Sequence, residues 1–175
     1  MTQSGVTVIV TPLPNTIREY AVMQVAISNG ASVSWTVKPD DLSFQRSNSG
    51  TGGAGSGGEN IRALPASTVV GELLAKGGRS DVIKLVAAYE NSLFNNARIH
   101  STNGYESRRQ NAFAEFGSSK LKAAAAASAI AMSTTKLAPG QSTDGAVFFP
   151  HQGKPLGAGT LTVKTAGEVF VFPME

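Results

Sequence analysis

The stretch Leu137–Pro150, LAPGQSTDGAVFFP, constrains the fold more than any other part of the chain. An apolar residue leads into a Pro-Gly turn and a short polar run. A strand follows over Gly145–Pro150, with Val147 and Phe149 on one face and Ala146 and Phe148 on the other. Two more strand patterns come after it: Thr160–Lys164, with Leu161 and Val163 inward, and Val169–Phe172, joined by a turn at Ala166-Gly167. Isolated hairpins are marginal in water. These late strands therefore need partners, and the other strand patterns lie at the opposite end of the chain.

There, residues 6–11 (VTVIVT) alternate β-branched side chains and read as a first strand, ended by Pro12 and Pro14, which lack a backbone donor. A second strand runs from about Glu19 to Ser28. Asn29-Gly30 then predicts a type I′ hairpin turn, because that turn needs positive φ at both central positions. A third strand is expected with Val33, Trp35 and Val37 on a core face and Ser32, Ser34, Thr36 and Lys38 on the other. Pro39-Asp40-Asp41 makes a turn, and Leu42 and Phe44 fit a short fourth strand.

Between the two groups of strands the pattern is helical. Ser47–Gly58, SNSGTGGAGSGG, reads as a flexible loop. Its formal G-x-G-x-x-G at Gly53, Gly55 and Gly58 arises from composition, since a phosphate loop needs a strand before it and a helix opening inside it. Ser67 can cap a helix through about Lys76, ended by Gly77-Gly78. Val82, Leu85, Val86, Tyr89, Leu93 and Phe94 then form one apolar helical stripe that starts at Ser80-Asp81. A third helical region begins near Tyr105, carries Phe113 and Phe116, and resumes through the Ala-rich run to Met132, which suits a close-packed helix face.

The expected architecture is α+β: an antiparallel, immunoglobulin-like β-sandwich of about 7–8 strands, formed by residues 1–46 and 134–175. Residues 47–60 would be its Gly/Ser-rich loop, and residues 61–133 a helical insertion packed on it. Without residues 61–136, about 100 residues remain, the size of such a sandwich. The pieces VMQVAISNGASVSWTV, LAPGQSTDGAVFFP and GTLTVKTAGEVFVFP resemble immunoglobulin-like domains of exported bacterial proteins and lipoproteins, in which a Pro-Gly turn precedes a G-x-V-x-F strand. The resemblance covers the first 46 and last 40 residues, and Trp35 falls where such domains often bury a Trp. It departs from antibody-like domains in having no cysteine, hence no disulfide, and no tyrosine corner near Gly145–Pro150. The resemblance implies a place outside the cytoplasm, periplasmic or at the cell surface, and a role in binding or assembly. It brings no catalytic residues.

The residues themselves exclude several chemistries. With no cysteine there is no thiolate metal site and no Cys nucleophile. His100 and His151, the only histidines, lie in different segments without metal-ligand spacing. His151, beside Pro150, is expected in an exposed loop, and His100 near a helix end. No G-x-S-x-G elbow or D-x-D-x-D-G calcium loop is present. The expectation is a non-enzyme with no cofactor and no metal. No run in the chain approaches the ~20 apolar residues needed to span a bilayer. The start MTQSGVTVIV is not a signal peptide, which leaves room for a leader or lipid anchor removed from the mature chain.

Charge supplies the one candidate surface. The net charge of +3 is uneven: residues 61–136 hold ten Lys/Arg against five Asp/Glu. Arg98, Arg108, Arg109, Lys120 and Lys122 therefore form a candidate binding set on the helical segment. Its leading partner is a protein of the bacterial cell envelope. The alternatives are nucleic acid bound through the basic helices, or an enzyme site between insertion and sandwich drawing on Arg108, Arg109, His100 or Asp81. The expectation is against nucleic acid, because Phe113 and Phe116 read as core residues rather than as interleaved aromatics.

Overall fold

The computed structural model describes residues 1–13, 16–47, 58–76, 83–89, 91 and 127–175. Its strands, in chain order, are β1 (Thr2–Gln3), β2 (Val6–Pro12), β3 (Tyr20–Asn29), β4 (Trp35–Val37), β5 (Leu42–Arg46), β6 (Asn60–Arg62), β7 (Thr135–Leu137), β8 (Ser142–Pro150), β9 (Gly159–Thr165) and β10 (Glu168–Met174). Helix α1 spans Ala66–Lys76, and residues 83–89 and 127–130 are also helical. The fold is thus mainly antiparallel sheet with a few helices.

The late strands find their partners at the start of the chain. One four-stranded sheet has the order β1-β2-β3-β8, a second has β10-β9-β5-β6, and β4 pairs with β7 apart from both. β8 pairs with β3 along its whole length, from Tyr20 opposite Pro150 to Ser28 opposite Ser142. The two large sheets share one apolar core. Val8, Met23, Val25, Ile27, Val147 and Phe149 enter it from the first sheet, and Leu42, Phe44, Leu161, Val163 and Phe170 from the second.

The helices cover the opposite face of the first sheet. Tyr20, Val22, Ala146 and Phe148 on that face meet Val69 and Leu73 of α1, Leu85, Val86 and Tyr89, and Ile130. Three layers result: helices, sheet, sheet. β3 and β8 are buried on both faces, which explains why their sequences lack the apolar-polar alternation of a half-exposed strand.

β8 is also covered along its outer edge. Leu64 N–H donates to Phe148 O at 2.8 Å, and Met132 N–H to Ala146 O at 2.9 Å. The chain passes so close that a Cβ at Gly145 would lie 2.4 Å from Met132 Cα. Small residues make this approach possible: Ala127, Ala129 and Ala131 are all buried here.

Turn chemistry matches the turns at three places. Ser4-Gly5 and Ala166-Gly167 have positive φ at both residues, as type I′ hairpins require. Gly140 has φ +79, and Gln141 N–H donates to Ala138 O at 3.0 Å, a Pro-Gly type II turn. Asn29-Gly30 behaves otherwise, which corrects the hairpin expectation. Neither residue has positive φ, and β3 is followed by a bent segment rather than a paired strand. The Asn29 side chain is instead buried in hydrogen bonds, described below. Val33 consequently lies outside β4 and is 64% exposed rather than in the core. Strands β1 and β6, only two and three residues long, carry no periodic signal in the sequence. With β6 in the second sheet, Ile61 and Ala63 belong to the main core although they fall within the stretch read as insertion.

Candidate functional site

Polar side chains gather at one end of the sheets, where β3 begins, β5 and β8 end, and α1 terminates. The chain leaves β8 at Pro150 and turns at once. His151 N–H donates to Glu19 O at 2.7 Å, and Lys154 N–H closes the turn on His151 O at 2.9 Å. Gln152 and Gly153 occupy the two central positions with φ +50 and +73. Gly153 packs against the loop before β3, where Thr16 Oγ1 donates to its carbonyl at 3.2 Å.

This turn draws His151 inward. The residue is only 9% exposed, which corrects its expected place in a solvated loop. Its Nδ1 lies 3.0 Å from Lys154 O, and its Nε2 meets the Arg46 guanidinium at the end of β5. A carbonyl can only accept and a guanidinium can only donate. The pairing therefore calls for the tautomer in which Nδ1–H donates to Lys154 O and Nε2 accepts from Arg46. Neither nitrogen is available as a general base in this arrangement.

Beside it, Tyr20 at the start of β3 donates its hydroxyl to Glu72 Oε2 of α1 at 2.5 Å. Lys76 Nζ lies 3.6 Å from Glu72 and 3.4 Å from Glu19, and Arg18 donates to Lys76 O at 2.5 Å. Burial, reinforced by the Glu72 carboxylate, raises the Tyr20 phenol above its ordinary range. The hydrogen bond from Tyr20 in turn lowers Glu72. The carboxylates of this network are well exposed, so as separate ion pairs they contribute little. Together they fix the C-terminal turn of α1 to the end of the first sheet.

A second polar contact is buried between the layers. Tyr89 donates its hydroxyl to Asp144 Oδ2 at 2.5 Å, tying the helix of residues 83–89 to β8. Asp144 is 2% exposed, and its Oδ1 has no hydrogen-bond partner among the described residues.

The candidate binding set Arg98, Arg108, Arg109, Lys120 and Lys122 lies outside the described residues, as do His100 and Asp81. The polar cluster is made of other residues: Arg18, Glu19, Tyr20, Arg46, Glu72, Lys76 and His151. Only Glu72 and Lys76 carry a sequence signal, the helical i, i+4 spacing of opposite charges. The others meet because β3 and β8 pair in register and β5 packs across from them, which no local pattern records. Among the described residues there is no group of three or more metal-ligating side chains, and no helix is long and apolar enough to cross a membrane. Comparison with known proteins finds no matching family model, no similar curated protein and no similar solved structure.

Proposed function

We propose that this chain is a non-catalytic binding or assembly domain of the bacterial cell envelope, built on an immunoglobulin-like sandwich. The observation that carries the reading is strand order. With β2 as strand A and β3 as B, the first sheet runs A-B-E through β8. The second runs G-F-C-C′ through β10, β9, β5 and β6. This order is compatible with an immunoglobulin-like sandwich in which C′ extends the G-F-C sheet, and it supports the reading. The described helices then occupy the connection between C′ and E and cover one face of the first sheet.

In this reading the helical segment is the recognition element, with Arg98, Arg108, Arg109, Lys120 and Lys122 facing a protein partner in the envelope. The domain, in this reading, resides in the periplasm or on the cell surface. Fold alone is a weak warrant for function, so the test is location and contact. Source cells are fractionated and each fraction probed with an antibody. Recovery from periplasm, membrane or surface is expected, followed by crosslinks to an envelope protein that weaken when the five basic residues are changed to Gln. Cytosolic recovery, with binding to nucleic acid at about 50 mM salt that falls steeply as salt rises, would replace the envelope reading with the nucleic-acid one.

A further inference from the structure

We propose that His151 is a proton-operated catch, closed when the imidazole is neutral and released when it takes up a proton. The argument rests on hydrogen-bond roles. Nδ1 faces the Lys154 carbonyl at 3.0 Å and must carry hydrogen there. Nε2 faces the Arg46 guanidinium and must present its lone pair. A proton added to the ring can only go to Nε2. That places an N–H donor and a positive charge directly against a group that is itself a donor and a cation. The contact cannot survive the change.

Among the described residues no carboxylate is hydrogen-bonded to the imidazole. The loop before β3 contributes Arg18 and Glu19; the Glu19 carboxylate is engaged by Lys76 of α1, and only its backbone carbonyl touches His151. The approach to β6 contributes Glu59, whose backbone carbonyl accepts from Arg46 N–H at 3.0 Å. The turn itself contributes Lys154. The remaining charges among these, Arg18, Arg46, Lys76 and Lys154, share the sign of protonated His151.

The turn is built to move once the catch opens. Gln152 holds φ +50, a conformation unfavourable for a residue with a Cβ. Besides the contact with Arg46, the turn's ties among the described residues include His151 N–H to Glu19 O and Thr16 Oγ1 to Gly153 O, both to the loop before β3. Its release would loosen that loop and, through Glu19 and Arg18, the end of α1.

The test uses the full chain. Ring-nitrogen NMR shifts at pH 8 should report the neutral Nδ1–H tautomer; the Nε2–H tautomer or a charged ring would overturn the proposal. Amide hydrogen exchange, corrected for intrinsic rates, is then followed at His151 and Lys154 from pH 8 to pH 5. Their protection should fall by about tenfold or more, the scale of a lost charge-assisted hydrogen bond. In His151→Gln, whose amide offers the same donor and acceptor but takes up no proton, protection should hold across that range. Equal behaviour of the two proteins, or unchanged protection in the wild type, would overturn the catch. If the variant fails to fold, the tautomer and the wild-type exchange profile decide between the same outcomes.

Discussion

The side-chain amide of Asn29 donates to the carbonyl of Leu137 at 3.0 Å, joining the end of β3 to a strand 108 residues later. The same nitrogen donates to Val33 O at 2.9 Å, and Oδ1 accepts from Ala31 N–H at 3.0 Å. The backbone of Asn29 is bonded to Gln141 and Gly140. One buried amide thus holds the segment after β3, the strand β7 and the Pro-Gly turn together. Asn29→Asp keeps the acceptor, loses both donors and sets a carboxylate against two carbonyls. The expected loss is about 2–4 kcal/mol in denaturant unfolding. A change below about 0.5 kcal/mol, the scale of an ordinary surface substitution, would contradict this role.

Gly145 tests how closely the chain passes over β8. A methyl group there would meet the backbone and Cβ of Met132, which cannot turn aside as a flexible side-chain tip could. Gly145→Ala should cost about 1–3 kcal/mol through overpacking. It should also speed exchange of the Met132 amide, which donates to Ala146 O. Gly71, with nothing near its missing Cβ, is the matched control, and Gly71→Ala in helix α1 should be neutral or stabilising.

Tyr89→Phe leaves the ring in place and removes the hydroxyl from Asp144. The buried carboxylate then loses its hydrogen bond from the helical layer, at an expected cost of about 1–3 kcal/mol. A double-mutant cycle with Asp144→Asn measures the pair. A coupling energy near zero would show that the bond does not hold the layers together.

The Tyr20–Glu72 pair predicts opposite effects at the two ends of the pH scale. Glu72 is lowered in the folded chain, so its contribution is present above the ordinary glutamate pKa and is lost as pH falls. Tyr20 is raised, so its contribution is intact below about pH 10, the ordinary tyrosine value, and is lost as pH climbs beyond that. Stability measured by urea unfolding should therefore decline at both extremes. Tyr20→Phe should flatten the alkaline decline and weaken the acid one. Unchanged limbs would contradict the assignment.

Replacing residues 66–130 with a short linker removes the helical layer from the first sheet. Tyr20, Val22, Ala146 and Phe148 would then face solvent. Surfaces of that kind promote association, so the shortened chain is expected to bind a hydrophobic dye and aggregate. A soluble, cooperatively folding product would show that the helices are dispensable to the sandwich.

Much of this arrangement is legible in the sequence where local pattern decides it. Val147 and Phe149 against Ala146 and Phe148, the inward Leu161 and Val163, and the Ala166-Gly167 and Pro139-Gly140 turns all follow from period-two spacing and φ requirements. Asn29-Gly30 misleads because its hairpin preference is overridden by hydrogen bonds that the Asn29 side chain donates to the carbonyls of Val33 and Leu137. His151 misleads for a related reason: a histidine beside a proline reads as loop, and only the packing of β5 against the end of β8 brings Arg46 to it. Strand β6 is too short to show a period.

β3 and β8 form a partition with a core on each side, and a partition cannot be weakened from one side alone. A substitution that shifts Val22 or Phe148 toward the helices also draws Met23, Val25 and Val147 away from the opposite sheet, since these residues sit on the same two strands and face the two compartments alternately. The helical layer is therefore not free to change independently of the sandwich beneath it. Any lineage that altered the helices while keeping these two strands would have had to preserve the shape of the face they cover, leaving variation to residues that do not touch it.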